Sequence, residues 1–203
     1  MLTIGLTGPS GGGKGTVASL FARYGIPSID TDAVYHTLLI PPSPCLDELA
    51  GAFGKEILTA DGSLDRKALA ALVFAPGQGT ALATLNRITH RYVLAEVRRQ
   101  LAAYRERGNA AVLVDAPQLF ESGFDAECNR ILSVLAPREL RLSRIMARDG
   151  LDRTRAEARL AAQKPDDFFK AHSDAVIVND GVAEDMDREV RRLLTLWEVP
   201  YEP

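Results

Sequence analysis

Residues 8–14, with the sequence GPSGGGK, separate an apolar run from a helical pattern near the start of the chain. This G-x-x-x-x-G-K spacing is typical of a loop that binds phosphate, because glycines let successive backbone N–H groups curl around an oxyanion and Lys14 neutralises its charge. The helix that follows adds the positive end of its dipole and the unpaired N–H groups of its first turn. Residues 2–7 (LTIGLT) predict a short strand, and residues 17–21 (VASLF) place apolar side chains on one helix face. The register and both flanks favour a phosphate-binding loop over an ordinary glycine-rich turn.

One position of this loop departs from the usual pattern. The residue after the lysine is commonly Ser or Thr, whose hydroxyl ligates the Mg²⁺ of the nucleotide. Here that residue is Gly15, and the first hydroxyl belongs to Thr16, an ending typical of nucleoside monophosphate kinases. Because Mg²⁺ holds water tenaciously, a water oriented by a carboxylate can fill the position. We therefore expect the loop to bind Mg-nucleotide, with Thr16 contacting a phosphate.

A dinucleotide-binding fingerprint overlaps the same loop. Residues 13–18 (GKGTVA) fit G-x-G-x-x-A, and Asp30 lies near the distance at which that fold places its ribose-binding acid. A dinucleotide turn begins almost directly after its strand, however, whereas residues 8–13 intervene here. The spacing favours the phosphate loop.

Length and composition limit the class of protein. The 203 residues suffice for one buried α/β domain with small insertions, and 46% hydrophobic with 25% charged residues is typical of a globular protein. The formal net charge of −3 argues against a general nucleic-acid binder but not against small anionic substrates in a locally basic cleft. Cys45 and Cys128 are far apart and no metal-ligand spacing occurs. We expect a reduced cytoplasmic protein with no structural zinc, no membrane segment and no obligatory protein partner.

Short apolar runs predict the sheet. After residues 2–7, the predicted strands, which look buried on both faces, are Ile26–Ile29, Ala111–Val114, Ile131–Leu135 and Ala175–Val178. Such runs separated by helical stretches predict a parallel sheet flanked by helices. The interval between the second and third strands is too long for one crossover and predicts an inserted helical unit. Beyond the loop, helical patterns cover residues 65–74 (ended by Pro76-Gly77), 80–107, 137–150, 152–164 (ended by Pro165) and 183–197.

Carboxylates stand at the ends of two predicted strands. Asp30 and Asp32 follow the second strand, at the edge where open α/β sheets bind ligands. A carboxylate there can orient or accept the proton of an attacking hydroxyl, or it can cap the next helix. Two aspartates allow both roles, and we expect Asp32 to be the catalyst. Asp115 ends the third strand, where a carboxylate can hold a Mg²⁺-bound water, and Glu121 follows a turn later; either residue can instead pair with a structural Lys or Arg.

Basic side chains form a stripe in the segment from residue 137 to residue 172. Arg144 and Arg148 are four residues apart and project from one helix face together with Arg141. A solvated helix face is the alternative. In a phosphate-loop protein, arginines on a helical flap stabilise the charge of the transferred phosphoryl group and exclude water, which favours a functional role.

A series of segments follows a fixed order along the chain. These are Ile4–Gly8 before the loop, Gly25–Asp32 with the ending I-D-x-D, Asp61–Arg66, Leu85–His90 (L-N-x-I-T-H), Asp115–Glu121 (D-x-P-x-L-F-E), Arg144 with Arg148, Gln163, and Val176–Gly181. Through the order of these segments, the chain resembles the dephospho-coenzyme A kinase family over nearly its whole length. Four positions depart from the family pattern: Gly15 replaces Ser, Arg91 replaces Pro, Gln118 replaces Leu and Arg141 replaces a common Gln.

The resemblance implies an α/β P-loop kinase with three parts. These are a nucleotide-binding core (residues 1–33, 109–136 and 173–203), a helical acceptor-substrate domain (34–108) and a helical lid (137–172). The implied reaction is ATP-dependent phosphorylation of the ribose 3′-hydroxyl of dephospho-coenzyme A, the last step of coenzyme A synthesis. The implied co-substrate is ATP with Mg²⁺.

The resemblance implies four groups of site residues. The ATP-binding residues are Gly11, Gly12, Gly13, Lys14, Gly15, Thr16, Arg144, Arg148 and Asn179. The acceptor-binding residues are Asp32, His36, Arg66, His90, Leu119, Phe120 and Glu121. The catalytic residues are Asp32, Lys14 and Arg144, and the metal is held by Thr16 and Asp115 through water.

Two other functions compete with this interpretation. A cytidylate-type nucleoside monophosphate kinase shares the loop ending Lys14-Gly15-Thr16, although the downstream segments favour dephospho-coenzyme A. A non-catalytic nucleotide-binding regulatory module is the alternative of another class. A GTP switch would need the guanine-reading pattern N-K-x-D, which this sequence lacks.

Overall fold

The computed structural model describes residues 1–75 and 79–201, so the helix stop predicted at Pro76-Gly77 lies outside the described residues. The chain divides into two compact units. The sheet unit comprises Met1–Ile29 and Ala102–Pro203, and the helical unit comprises Asp30–Leu101. The helical unit begins and ends somewhat earlier in the chain than the predicted insertion, residues 34–108.

Five strands of the described chain form one parallel sheet, as predicted. They are β1 (Leu2–Thr7), β2 (Ser28–Asp30), β3 (Ala111–Asp115), β4 (Arg130–Leu135) and β5 (Ala175–Val178), in the order β2-β3-β1-β4-β5. The central strand β1 pairs in parallel with β3 and β4, and β4 pairs in parallel with β5. The carboxyl end of β1 leads directly into residues 8–16, which we call the phosphate loop.

The apolar runs in the strands are explained by burial on both faces. Ile4 and Leu6 of β1 and Leu113 of β3 are fully buried. Helices α1 (Lys14–Arg23) and α9 (Ala183–Leu196) add their apolar residues to the same core. Packing of α1 against the sheet fixes the position of the phosphate loop, because the loop connects β1 to that helix.

Three further helices of the sheet unit are α6 (Arg138–Asp149), α7 (Arg153–Ala161) and α8 (Asp166–Ala171). A small apolar cluster joins α6 to α7 and consists of Leu142, Ile145, Ala156 and Leu160. Helix α8 was not predicted. Pro165, interpreted as the end of the preceding helix, is the N-cap residue of α8, and six residues are too few to show a helical period.

The helical unit contains α2 (Thr31–Leu38), α3 (Pro44–Phe53), α4 (Arg66–Val73) and most of α5 (Gly79–Glu106). Its core comprises Leu39, Cys45, Leu46, Leu49, Ile57, Leu69, Val73 and Ile88. Helix α3 was not predicted, although Ser43 accepts a hydrogen bond from the backbone N of Leu46 at 3.1 Å and Pro44 occupies the first turn. Short 3₁₀ helices cover Lys55–Ile57 and Phe124–Glu127. Among the helices in the described ranges, none combines the length and hydropathy of a bilayer span.

Candidate active site

The phosphate loop has a backbone that requires glycine. Gly8, Gly11 and Gly13 have φ angles of 138°, 77° and 98°, a region that other residues rarely adopt. Gly13 is the N-cap residue of α1, and within the described residues no side chain caps this helix. The N–H groups of Lys14 and Gly15 are therefore available to an anion, whereas those of Thr16 and Val17 donate to the carbonyl oxygen of Gly13.

The loop also lies directly against the carboxyl end of β4. A Cβ atom on Gly12 would lie 2.5 Å from the carbonyl oxygen of Val134, and one on Gly8 would overlap the same oxygen. A Cβ atom on Gly11 would lie 2.7 Å from the carbonyl oxygen of Arg141 on α6. Gly8 and Gly11 are therefore needed for close packing as well as for their conformation, and Gly12 is needed for close packing alone.

Two side chains from outside the loop are hydrogen-bonded to its main chain. Arg144, on α6, donates from Nη1 to the carbonyl oxygen of Gly11 at 3.0 Å. Asn179, which follows β5, donates from Nδ2 to the carbonyl oxygen of Gly12 at 3.0 Å. Arg144 Nη2 also donates to Asn179 Oδ1 at 3.0 Å, which closes the network. The structure thus brings four of the predicted ATP-binding residues into contact.

Gln163 makes a third contact with the loop. Its Oε1 atom accepts a hydrogen bond from the backbone N of Ser10 at 2.9 Å. The sequence placed Gln163 among the family-matching positions but assigned it no role. No local pattern could have found this contact, because the two residues are 153 positions apart.

Three arginines of α6, those predicted to form the basic stripe, have different partners. Arg141 donates to Asp166 at 2.8 Å, and its side chain is largely buried. Arg148 forms two hydrogen bonds with Asp149, at 2.8 and 2.9 Å, and this hydrogen bonding raises the pKa of Arg148. Arg144 is bonded only to neutral oxygens and has no carboxylate within ion-pair distance among the described residues. Its positive charge therefore remains uncompensated beside the loop.

The other predicted ATP and metal residues of the sheet unit are half-buried or exposed. Lys14 is half-buried at the start of α1, and Gly15 and Thr16 are exposed one and two residues later. A Cβ atom on Gly15 would meet no atom within 4 Å. Asp115 is half-buried at the carboxyl end of β3, in register with Leu6 of β1. Within residues 1–75 and 79–201, no group of three or more His, Cys, Asp or Glu side chains is placed to hold a metal ion.

The acceptor residues predicted in the sheet unit lie in different environments. Leu119 is fully buried, and its Cδ2 atom would lie 2.9 Å from a Cβ atom on Gly5. Leu119 therefore packs beneath β1, and its side chain offers no surface to a substrate, which corrects the expectation of a direct contact. Phe120 is half-buried against Phe168, with ring centroids 5.1 Å apart. Glu121 is exposed, and its carboxylate lies 3.5 Å from Lys164 Nζ.

In the helical unit, the two aspartates of the I-D-x-D segment have different environments. Asp30 caps α2, because its Oδ1 atom accepts from the backbone N of Asp32 at 2.9 Å and of Ala33 at 3.0 Å. Asp32 is exposed, and in the described chain its carboxylate accepts no hydrogen bond. The cap role therefore belongs to Asp30, and the carboxylate of Asp32 remains available for another role.

Two predicted acceptor residues of the helical unit contact each other. Arg66 Nη2 lies 2.8 Å from His36 Nδ1, so the arginine donates and Nδ1 of the histidine accepts. Both side chains belong to exposed residues, and His90 is half-buried on α5. Arg91, which departs from the family pattern, forms an ion pair with Glu48 on α3.

The parallel sheet, the phosphate loop at the end of its central strand and the arginine bonded to that loop define a P-loop kinase. A family model described as dephospho-CoA kinase matches residues 2–185. The chain belongs to the dephospho-CoA kinase family.

Proteins related to this chain in sequence carry the same family description. A dephospho-CoA kinase of Anaeromyxobacter dehalogenans is 42% identical over 195 residues, which cover 96% of this chain and 91% of that protein. One from Geobacter metallireducens is 40% identical over 198 residues, which cover 98% of this chain and 96% of that protein. These matches do not favour the nucleoside monophosphate kinase or the regulatory module.

Solved structures share the fold. A Thermus thermophilus crystal structure has a TM-score of 0.78 at 34% identity and covers 96% of this chain and 97% of its own. A dephospho-CoA kinase from Campylobacter jejuni has a TM-score of 0.69 at 27% identity, with 95% of each chain covered. A shikimate kinase from Acinetobacter baumannii, with a TM-score of 0.52 at 18% identity over 98% of this chain and 96% of its own, shows the shared fold alone.

The loop geometry predicts that alanine weakens ATP binding at Gly13 but not at Gly15. Gly13→Ala places a Cβ atom on the Asn179 amide at a φ angle of 98°, so we expect ATP binding to weaken by about tenfold or more. Gly15→Ala is the matched control, because the site is open and helical. It should retain ATP binding and raise the free energy of unfolding by up to about 1 kcal/mol. Titration with a fluorescent ATP analogue and chemical denaturation measure the two effects. Wild-type ATP affinity in Gly13→Ala would contradict this account of the loop.

Proposed function

We propose that this chain transfers the γ-phosphoryl group of ATP to the ribose 3′-hydroxyl of dephospho-coenzyme A, giving coenzyme A and ADP. The observation that carries the phosphoryl-transfer part is Arg144, whose uncompensated charge lies against the main chain of Gly11 and Gly12. Membership of the dephospho-CoA kinase family supports the identity of the acceptor. We place the reaction in the cytoplasm, where ATP is supplied and where the unpaired Cys45 and Cys128 stay reduced.

In this proposal the phosphate loop binds the phosphates of ATP. The N–H groups at the start of α1 and the ammonium group of Lys14 contact the phosphate oxygens. Arg144 retains N–H groups that no described residue accepts from, since a guanidinium has five donors. Those donors stabilise the charge that spreads over the γ-phosphoryl oxygens during transfer. Arg148 contributes after its guanidinium leaves Asp149.

Magnesium fits the oxygen donors available here. The exposed hydroxyl of Thr16 and the half-buried carboxylate of Asp115 are the hard ligands that Mg²⁺ prefers, and the open space at Gly15 leaves room for water. We propose that both residues hold the ion through water. When bound, Mg²⁺ neutralises charge on the β- and γ-phosphate oxygens.

Asp32 is the proposed general base. The acceptor's 3′-oxygen bonds to the γ-phosphorus, the bond to the β,γ-bridging oxygen breaks, and ADP leaves. Asp32 orients the 3′-hydroxyl and takes its proton. Support comes from the division of roles at the start of α2, where Asp30 already provides the cap.

We assign binding of the acceptor to the predicted acceptor-binding residues other than Asp32. The Arg66–His36 pair presents a guanidinium beside an imidazole, and this combination suits the anionic pyrophosphate of the acceptor. His90, Phe120 and Glu121 complete the proposed set, from which Leu119 is left out because its side chain is buried.

The proposal is tested by ADP release from Mg-ATP with dephospho-coenzyme A, CMP, AMP or no acceptor. We expect product only with dephospho-coenzyme A, and chelation of Mg²⁺ should abolish it. Turnover with CMP or AMP instead would establish the nucleoside monophosphate kinase. ATP binding without any turnover would establish the regulatory module.

Exchanging each aspartate for asparagine separates the two roles. Asp32→Asn should lower kcat by about a hundredfold or more with ATP binding retained, in the range of losing a general base. Asp30→Asn is the matched control and should remain within about threefold of wild type, because asparagine is an equally good N-cap residue. Steady-state kinetics and ATP titration measure both variants. Near-normal turnover in Asp32→Asn would remove this carboxylate from the mechanism.

A further inference from the structure

Asn179 is held in place by the sheet as well as by the phosphate loop. Its backbone N donates to the carbonyl oxygen of Leu135 at 2.8 Å, which continues the pairing of β4 with β5 by one residue. The side chain is 2% exposed. The amide group is therefore fixed in position by the main chain before any ligand binds.

Both ends of this amide are used in contacts with the loop and its arginine. Nδ2 donates to the Gly12 carbonyl oxygen and Oδ1 accepts from Arg144 Nη2, each at 3.0 Å. The next loop residue, Gly13, lies so close that a Cβ atom there would overlap Nδ2. A side-chain amide supplies this donor and this acceptor on the two ends of one small planar group, without a charge.

The bond to Gly12 determines where the following N–H group points. In a trans peptide, the carbonyl oxygen and the next N–H group lie on opposite sides of the C–N bond. Because Asn179 holds the Gly12 carbonyl on one side, the N–H group of Gly13 is directed to the other side. That N–H group immediately precedes Lys14 and α1, where the anion is proposed to bind.

We propose that Asn179 is a positioning residue for phosphoryl transfer, which holds the phosphate loop and Arg144 in their binding arrangement. This inference rests on the proposed function and specifies how its nucleotide site is ordered. Asn179 acts through Gly12 and Arg144, so its loss weakens binding of the ATP phosphates. The neutrality of the amide also matters, since a carboxylate at this position would neutralise Arg144 and repel the carbonyl oxygen of Gly12.

Two substitutions at Asn179 test this role. Asn179→Asp keeps the size of the side chain and its acceptor for Arg144 but removes the donor to Gly12. Asn179→Ala removes both contacts. We expect each variant to raise the Kd of ATP by about tenfold or more, the order expected for losing a hydrogen bond to a charged group or leaving its partner unpaired. The KM for dephospho-coenzyme A should change less than the Kd of ATP.

A double-mutant cycle with Arg144→Ala measures the coupling between Asn179 and Arg144 in ATP binding. Because Asn179 acts partly through Arg144, Asn179→Ala should weaken ATP binding less in the Arg144→Ala background than in wild type, and the remaining effect is the part that acts through Gly12. Asn129→Ala is the matched control. It removes a hydrogen bond of similar length, from Thr3 N to Asn129 Oδ1 at 2.8 Å, at a site in β1 before the loop, and should leave the Kd of ATP unchanged.

The binding measurement uses a fluorescent ATP analogue without acceptor, so it decides the role of Asn179 even if the proposed acceptor proves wrong. Circular dichroism establishes that each variant is folded. If Asn179→Ala does not fold, the Kd of ATP in Asn179→Asp tests the positioning role. An unchanged Kd of ATP in the folded variants would overturn the inference. So would effects of Asn179→Ala and Arg144→Ala that simply multiply, or an equal loss of ATP affinity in Asn129→Ala.

Discussion

The close approach of the phosphate loop to β4 is the constraint on which the rest of the site depends. The carbonyl oxygen of Val134 leaves no room for a side chain at Gly8 or Gly12, so the loop main chain itself forms the surface. The carbonyl oxygen of Gly12 accepts from Asn179, so the N–H group of Gly13 that follows it is directed to the other side, whereas the N–H group of Gly12 donates to the carbonyl oxygen of Pro9. An anion site then results from backbone geometry, and the side chains around it need only hold that geometry and add charge.

Charge compensation distinguishes Arg144 from Arg141 and Arg148 on the same helix, α6. Arg141 and Arg148 are paired with carboxylates, whereas Arg144 is bonded to carbonyl and amide oxygens. Neutral acceptors fix the position of a guanidinium without cancelling its charge, which suits a group that must meet phosphate. Arg141 stands where the family commonly has Gln, and its ion pair with Asp166 links α6 to α8. Helices α6 and α8 therefore accommodate arginine at position 141 through this ion pair.

The sequence predicted those features that are coded locally. The strands were recognisable because burial on both faces requires uninterrupted apolar runs, and the loop was recognisable because its glycines and lysine are consecutive. Helix α8 escaped prediction because it is too short to show a period. The contacts of Gln163 with Ser10 and of Asn179 with Gly12 join residues 153 and 167 positions apart, so no pattern reports them. The side chain of Leu119 faces the core, and a motif match does not reveal this.

The claim that this chain phosphorylates the 3′-hydroxyl of dephospho-coenzyme A is tested most directly by the position of the phosphate in the product. Phosphorus NMR of a reaction with Mg-ATP and dephospho-coenzyme A distinguishes a new phosphomonoester from inorganic phosphate, and its coupling to the ribose protons identifies the carbon that carries it. We predict a single phosphomonoester coupled to the proton on C3′, formed in equal amount to ADP. Phosphate on another hydroxyl, or ADP accompanied only by inorganic phosphate, would contradict the account.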